Sequence, residues 1–299
     1  MPQGVSSEAA AGVRCPLCDR PAEAPAFEKD GYPIARCACG MVFVARRIDP
    51  GVLDRLYGEG YFEGGFDEVV PGYRGYANEE AVMRRNFARR LALIERIVPP
   101  GSLLDVGCAL GFFVRAALDR GWAARGVELS EYAATQAAAS GLPVTRADFL
   151  TMDIAPGSLT AITMLDMLEH TAEPRRYVQR ARAALRPGGV LAIETGDLGS
   201  AFARLSGRRY HFFTPPNHLT YFTRATLARM LREEGFGEVE FVRVGKWVTL
   251  ARILYHLYVR SPRPALRRVV DLAERTGAAR LPLPVNVGDD MFALGRVTC

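Results

Sequence analysis

The stretch Ser102-Leu-Leu-Asp105-Val-Gly107-Cys-Ala109-Leu-Gly111-Phe-Phe-Val runs from a short apolar strand, through a glycine-bearing turn, into a helix. Glycines in such a turn let the backbone approach a ligand closely, and the helix that follows offers unpaired N–H groups at its start. A dinucleotide site of the G-x-G-x-x-G kind needs a third glycine for close helix packing, and counting from Gly107 that place holds Phe112. The dinucleotide pattern therefore fits poorly. Asp105, at the strand end just before the first glycine, points to a different ligand.

Outward from this turn the chain alternates strand and helix. Upstream, Val82, Phe87, Leu91, Ile94 and Val98 follow helical spacing from Glu79 to Val98, and Pro99-Pro100-Gly101 ends that helix. Downstream, SLLDV, ARGVEL, PVTRAD, TAITML and VLAIET read as strands, with GFFVRAALDRG, EYAATQAAASG and PRRYVQRARAALRPGG as helices between them. Parallel strands need crossovers of this length, so an α/β, doubly wound, mostly parallel sheet is expected. The helix ATLARMLREEG and the strand GEVEFVRVG follow. Residues from Trp247 to about Gly277 read as two helices within an insertion of about 246–287, before a last strand at DDMFALGRV. The part from Trp247 to Arg260 suits a homodimer surface, a wall for an apolar acceptor, or core, with core the first choice.

Asp105 to Gly111 resembles motif I of the class I S-adenosylmethionine-dependent methyltransferases, [DE]-x-G-x-[GA]-x-G, with Ala109 in the middle position. Further matches come in the family's order. GVELS ends the second strand with Glu128, which resembles the acid that takes both ribose hydroxyls, two carboxylate oxygens meeting two donors. Leu129 follows it. RADF supplies Asp148 and Phe149, similar to the residues that meet the adenine amino group and cover its ring. LDMLEH, with Asp166, and LRPGGVLAIET match later motifs. One glycine turn alone is weak and an acid at a strand end is often a helix cap, but four such features at the carboxyl ends of successive strands seldom arise by chance. The resemblance covers about Glu79 to Gly245, with Asp289 to Val297 as the family's antiparallel last strand. It implies a seven-stranded sheet and S-adenosylmethionine as cofactor.

Six cysteines fall into a pattern: Cys15-Pro-Leu-Cys18 and Cys37-Ala-Cys39 cluster, while Cys108 and Cys299 stand apart. Short-spaced thiol pairs in a chain whose start lacks a secretory pattern argue for metal rather than disulfide. Four thiolates suit zinc, and a closed four-sulfur shell makes its role structural. The organisation expected is a flexible tail (1–11), a zinc-binding module resembling a zinc ribbon (12–50), an aromatic connector or lid (51–78) and the methyltransferase domain (79–299). In the connector, Tyr57, Tyr61, Phe62, Tyr73 and Tyr76 lie where family members fold a segment over the cofactor's methionine end, and Tyr76 is the candidate contact.

Such modules resemble those of ribosomal-RNA guanine methyltransferases and those of sugar and natural-product methyltransferases. Between Cys15 and Cys39 the bases Arg20, Lys29 and Arg36 face four acids, Asp19, Glu23, Glu28 and Asp30. Nucleic-acid binding would want a basic, aromatic-laced surface, so a small-molecule acceptor is favoured over RNA. Retention of Asp105 and Glu128 argues against a non-catalytic scaffold. The net charge of +5 is spread along helices, and no run of 18 uncharged apolar residues occurs, so a soluble cytoplasmic protein without a membrane span is expected.

The stretch TPPNHLTYFT (214–223) resembles the H-L-x-Y-F-[ST] segment after the fifth strand in the small-molecule group, and more loosely H-F-S-Y-F-S of the sugar C-methyltransferases. On that comparison His218 takes the place of an active-site histidine; Tyr221 is a further catalytic candidate, and His170, just past the fourth strand, either borders the pocket or caps the helix after Pro174. A histidine near its ordinary pKa is suited to removing the acceptor's proton. Asn217 and Pro215 stand where the sugar enzymes carry a glutamate and a tyrosine, so their full proton-transfer set is absent. The other reading of His218 is a packed residue that fixes the start of the next helix. Asp166 occupies the place of a metal-binding acid in catechol-type enzymes, but no Asp-Asn pair accompanies it, and a catalytic metal is not expected.

Overall fold

Strands buried on both faces read as continuous apolar runs, and Leu159–Leu165 is buried along its whole length except for its half-buried last residue. The computed structural model describes residues 12–22, 24–49, 51–52, 80–260 and 263–298. Tyr57, Tyr61, Phe62, Tyr73 and Tyr76 lie outside the described residues, as do the first eleven residues and Cys299.

The described chain enters through three short antiparallel strands, β1 (Phe27–Lys29), β2 (Tyr32–Arg36) and β3 (Val42–Val44). Helix α1 (Glu80–Glu95) leads to β4 (Ser102–Val106), α2 (Phe112–Leu118), β5 (Ala123–Glu128), α3 (Glu131–Ala139), β6 (Val144–Arg146) and β7 (Leu159–Leu165). Then come α4 (Pro174–Ala184), β8 (Leu185–Gly196), α5 (Ala201–Ser206), β9 (Thr220–Tyr221), α6 (Arg224–Glu233) and β10 (Phe236–Val242). The chain ends with β11 (Lys246–Thr249), α7 (Leu250–Arg260), α8 (Pro264–Arg275), β12 (Pro282–Val285) and β13 (Asp290–Val297).

The main sheet has seven strands in the order β10-β13-β8-β7-β4-β5-β6, and only β13 runs against the rest. From β4 the chain winds outward through β5 to β6, then returns to β7 on the other side of β4. Ligands of open α/β sheets bind at the carboxyl ends of the strands beside such a reversal. Helices α3 and α6 start on side-chain caps. Ser130 caps α3 by accepting from the Ala133 N–H, and Thr223 with Thr226 forms a reciprocal capping box at α6, each cap contributing about 1 kcal/mol.

Two segments differ from the sequence expectation. Residues 220–221 form strand β9, which pairs with β3 through Val42↔Tyr221 and Phe43↔Thr220 and so completes a four-stranded sheet with β1 and β2. The loop carrying His218 is thus the seam that joins the N-terminal module to the main domain. Second, Lys246–Thr249 is a strand paired with β12, not the start of a helix; the helix begins at Leu250. Two β-branched residues, Val248 and Thr249, favour the extended form.

The module shares its core with the main domain. Cys15, Leu17, Cys37, Met41 and Phe43 lie in one apolar cluster with Leu104, Ile162, Phe222 and Leu231. Arg175 on α4 reinforces the contact, donating to the Leu17 carbonyl and to the carboxylates of Glu233 and Glu234. No helix among the described residues is long and apolar enough to cross a membrane.

Candidate active site

At the end of β4, Asp105 is 3% exposed and accepts a hydrogen bond of 2.6 Å from the Thr163 hydroxyl. Burial pushes its carboxyl up to about 7, against the pull of the Thr163 bond and with help from the negative charge of Glu128. The turn that follows is left-handed at three residues, Gly107 (φ 73°), Ala109 (φ 49°) and Gly111 (φ 76°). A Cβ on Gly107 would lie 2.6 Å from Met167 Cγ, and one on Gly111 2.6 Å from Leu142 Cδ1, so space and backbone conformation both select glycine.

Glu128 closes the turn from β5. Its Oε2 accepts from the Ala109 N–H and its Oε1 from the Ser130 N–H, both at 2.9 Å. Each oxygen keeps a lone-pair site for a further donor, and the backbone bonds fix the direction in which those sites point. Leu129, the next residue, is 61% exposed beside it. Asp148 accepts from the Leu150 N–H at 2.8 Å. Phe149 has a core position: it is 2% exposed, its ring stacked on Tyr177 at 5.8 Å. Leu129 is exposed and Asp148 half-buried at this end of the turn.

Beyond β4, a group of charges crosses the strand ends, of which sequence reasoning picked out Asp166 but not its partners. Asp166, at φ 50° just past β7, receives Lys246 Nζ at 3.1 and 3.2 Å. The same ammonium lies 3.3 Å from Glu194 and 3.4 Å from Asp290. Arg90 of α1 donates two bonds to Glu194, Nε to Oε2 at 2.9 Å and Nη2 to Oε1 at 2.7 Å, with side-chain exposures of 1% and 4%. Burial opposes ionisation of Glu194, but Lys246 and Arg90 outweigh it and hold the carboxyl at about 2. Burial raises Asp166, with Lys246 acting against it. Signals were present in the sequence: Glu194 interrupts the apolar run of VLAIET, Arg90 interrupts the apolar face of α1, and Lys246 is one of two lysines, Lys29 being the other, in a chain with 38 Lys and Arg.

His170 and His218 meet edge to face, ring centres 4.7 Å apart. His170 Nδ1 is 2.8 Å from the Asn217 carbonyl oxygen, and His218 Nδ1 is 2.8 Å from that of Phe212. A carbonyl only accepts, so the His218 proton is assigned to Nδ1 and its basic lone pair to Nε2. Burial, with His170 alongside, lowers His218 well below its ordinary value, and burial lowers His170 too. Both rings are neutral at pH 7. Glu169, 1% exposed, has an Oε2 without a hydrogen-bond partner among the described residues, and burial together with the charge of Asp166 raises it to about 8. Ligand atoms of Glu169, His170 and His218 lie within 4.8 Å of one another.

Tyr221 corrects the sequence expectation. It is 1% exposed, its ring lies 4.7 Å from that of Phe213, and its hydroxyl donates to the His218 carbonyl at 2.8 Å. Strand alternation at β9 turns it into the module's core, where it braces the backbone of His218 and has no access to an acceptor.

In the N-terminal module the four thiols converge. Cys15 and Cys39 sulfurs are 3.5 Å apart, as are those of Cys18 and Cys37, and all four lie within 4.8 Å of one another. A tetrahedral ion with sulfur at about 2.3 Å sets sulfur–sulfur edges of about 3.8 Å, so the cage has the size of such a site.

This sheet order, with an acid and a glycine turn at β4 and a second acid at β5, defines a class I S-adenosylmethionine-dependent methyltransferase. Residues 75–240, more than half of the chain, match the methyltransferase-domain family, and the chain belongs to it. The ubiquinone biosynthesis O-methyltransferase of Chromobacterium violaceum is 28% identical over 163 residues, 50% of this chain and 70% of the relative. That of Idiomarina loihiensis is 34% identical over 101 residues, 31% of this chain and 42% of the relative, and that of Cupriavidus pinatubonensis 28% identical over 46% and 61%. The match thus spans less than two thirds of the latter two. A methyltransferase from Archaeoglobus fulgidus shares the fold with a TM-score of 0.50 at 16% identity, covering 74% of this chain and 98% of the other. So does Haemonchus contortus phosphoethanolamine N-methyltransferase 2, solved with S-adenosyl-L-methionine, at 0.50 and 17%, covering 86% and 62%.

Proposed function

We propose that the chain transfers the methyl group of S-adenosylmethionine to a small-molecule acceptor, a sugar nucleotide or natural-product scaffold, while a structural zinc ion on Cys15, Cys18, Cys37 and Cys39 holds its N-terminal module. The observation that carries this reading is the placement of the His170–His218 pair: Met167 packs on Gly107 of the cofactor turn, and His170 follows three residues later.

The cofactor supplies an electrophilic methyl whose leaving group departs neutral, so no acid is needed. When the cofactor is bound, Glu128 would take the ribose hydroxyls on its two remaining lone-pair sites, Leu129 would cover the adenine face, and Asp148 would receive the amino group. Gly107 and Asp166 flank the methionine end. His218 Nε2 accepts the acceptor's proton; its depressed basicity keeps it unprotonated at neutral pH, and the Phe212 carbonyl fixes its orientation. Alignment of this kind contributes about 7–11 kcal/mol, and a positioned base a further ~100-fold to 10,000-fold. The few bases of the module support a small acceptor over RNA, since Arg14 pairs with Asp19 and Lys29 with Asp30.

The test is a transfer assay with methyl-labelled S-adenosylmethionine against sugar nucleotides and phenolic or amine scaffolds. For an accepted compound, His218→Gln should lower kcat by about 100-fold with little change in the cofactor's KM. Full turnover by His218→Gln would assign the residue to packing alone.

A further inference from the structure

Next to the charge group at the strand ends lies a cleft of ≈ 220 Å³ whose walls include Arg89, Arg243, Lys246, Trp247 and Asn286. We infer that this cleft is an anion site that takes the phosphate or diphosphate of a phosphorylated acceptor, an inference that rests on the methyltransferase reading above and narrows its substrate class.

The cleft is built, rather than left over between loops. Asn86 of α1 grips the backbone of Trp247 on both sides, its Nδ2 donating to the carbonyl and its Oδ1 accepting from the N–H, each at 2.8 Å. One turn along the same helix face, Arg85 and Arg89 follow each other at i, i+4 spacing. Arg85 lies 3.5 Å over the Trp247 ring, and Arg89 forms the cleft wall. Arg243, just past β10, stands on the cleft's lining as well. Gly245 also lines the cleft, and the exposed Asn286 follows β12, its Oδ1 accepting from the Gly288 N–H at 3.0 Å.

Charge then selects the ligand. Arg89 and Arg243 are exposed and have no ion-pair or hydrogen-bond partner among the described residues. The nearby carboxylates of Asp166, Glu194 and Asp290 are already engaged by Lys246 and Arg90. Two planar guanidinium forks match phosphate oxygens, and their two charges on one cleft suit a multiply charged anion better than a single carboxylate. Direction follows from Lys246: it lines the cleft and also reaches Asp166, whose neighbour Met167 packs on Gly107. An acceptor anchored there by its phosphate extends toward the methyl donor.

The experiment is calorimetric titration of inorganic pyrophosphate, uridine diphosphate and malonate into the full chain at low salt, alongside S-adenosylhomocysteine. Wild type, the double variant Arg89→Gln/Arg243→Gln and the control Arg186→Gln, at the opposite end of β8, are compared. Pyrophosphate should saturate the wild type and the control, and the double variant should bind it at least tenfold more weakly while its S-adenosylhomocysteine affinity stays within twofold. Tighter binding of uridine diphosphate than of pyrophosphate assigns a nucleotide-linked acceptor, and equal binding a simple phosphate ester; either supports the site. Pyrophosphate binding that is absent, or equal in the double variant, overturns it, as does malonate binding as tight as pyrophosphate. Silence of S-adenosylhomocysteine with pyrophosphate binding intact would instead overturn the methyltransferase reading and leave the cleft standing. Thermal melts of the double variant, both of whose positions are exposed, separate loss of binding from loss of fold.

Discussion

Replacing Arg90 by methionine removes the guanidinium from Glu194 while keeping most of the side-chain volume. Glu194 is left in place 4% exposed, with the Lys246 ammonium at 3.3 Å as its one remaining cation among the described residues. The carboxyl is held at about 2, against an ordinary 4.5, and a depression of that size corresponds to about 3 kcal/mol of stability at neutral pH. Lys246 supplies part of that, but desolvation of an acid that has lost its closest partner adds to the cost, and breaking a buried pair from one side typically costs about 3–5 kcal/mol. Arg90→Met should therefore lose about 3 kcal/mol, read as a lower urea midpoint with unchanged slope. A depressed carboxyl contributes stability that is present above its unfolded pKa and lost as pH falls toward its folded one. The gap between wild type and variant should accordingly be full at pH 6–7 and shrink below about pH 4.5. A loss under about 1 kcal/mol at pH 7, or a gap that does not change with pH, would refute the reasoning.

Three further outcomes are expected. Glu169 is raised to about 8, so the folded state holds its proton more tightly than the unfolded one and stability is lost as pH rises from about 4.5 to 8; Glu169→Gln should gain on wild type across that window, by as much as about 4 kcal/mol, in pH-dependent thermal melts. Metal analysis of the purified chain should find one zinc per chain, and Cys37→Ser or prolonged chelation should remove it and lower turnover more than tenfold, because β9 ties the module to the His218 loop. Gly111→Ala places a methyl group 2.6 Å from Leu142 on a left-handed backbone, and should cost about 1–3 kcal/mol together with a measurable loss of cofactor affinity in equilibrium dialysis.

The parallel sheet was readable because its strands are buried on both faces and so appear as apolar runs such as TAITML, separated by helices that end at glycine or proline. The glycine turn was readable for the same kind of reason: left-handed backbone and close packing leave few residue types able to occupy positions 107 and 111. What could not be read was pairing between distant segments. A two-residue strand such as Thr220–Tyr221 has no periodicity, and Tyr221 pairs with Val42, 179 residues away in sequence. Tyr221 looked like part of the site because it adjoins His218, yet alternation along β9 turns it to the other side. Arg90 and Glu194 are 104 residues apart, and Lys246 and Asp166 are 80 apart, so Asp166 could be read from its motif but its partner could not, and only the oddity of a charge within an apolar pattern marked Arg90 and Glu194. Phe149 matched its motif in identity but packs on Tyr177, a contact made by α4.

Titration calorimetry of S-adenosylhomocysteine with the wild type and with Glu128→Ala bears most directly on the cofactor site formed by the β4 turn and the end of β5. One molecule should bind per chain to the wild type, and Glu128→Ala, which loses charged bonds to two hydroxyls, should bind at least about tenfold more weakly. No binding by the wild type, or equal binding by Glu128→Ala, would contradict the assignment of this turn.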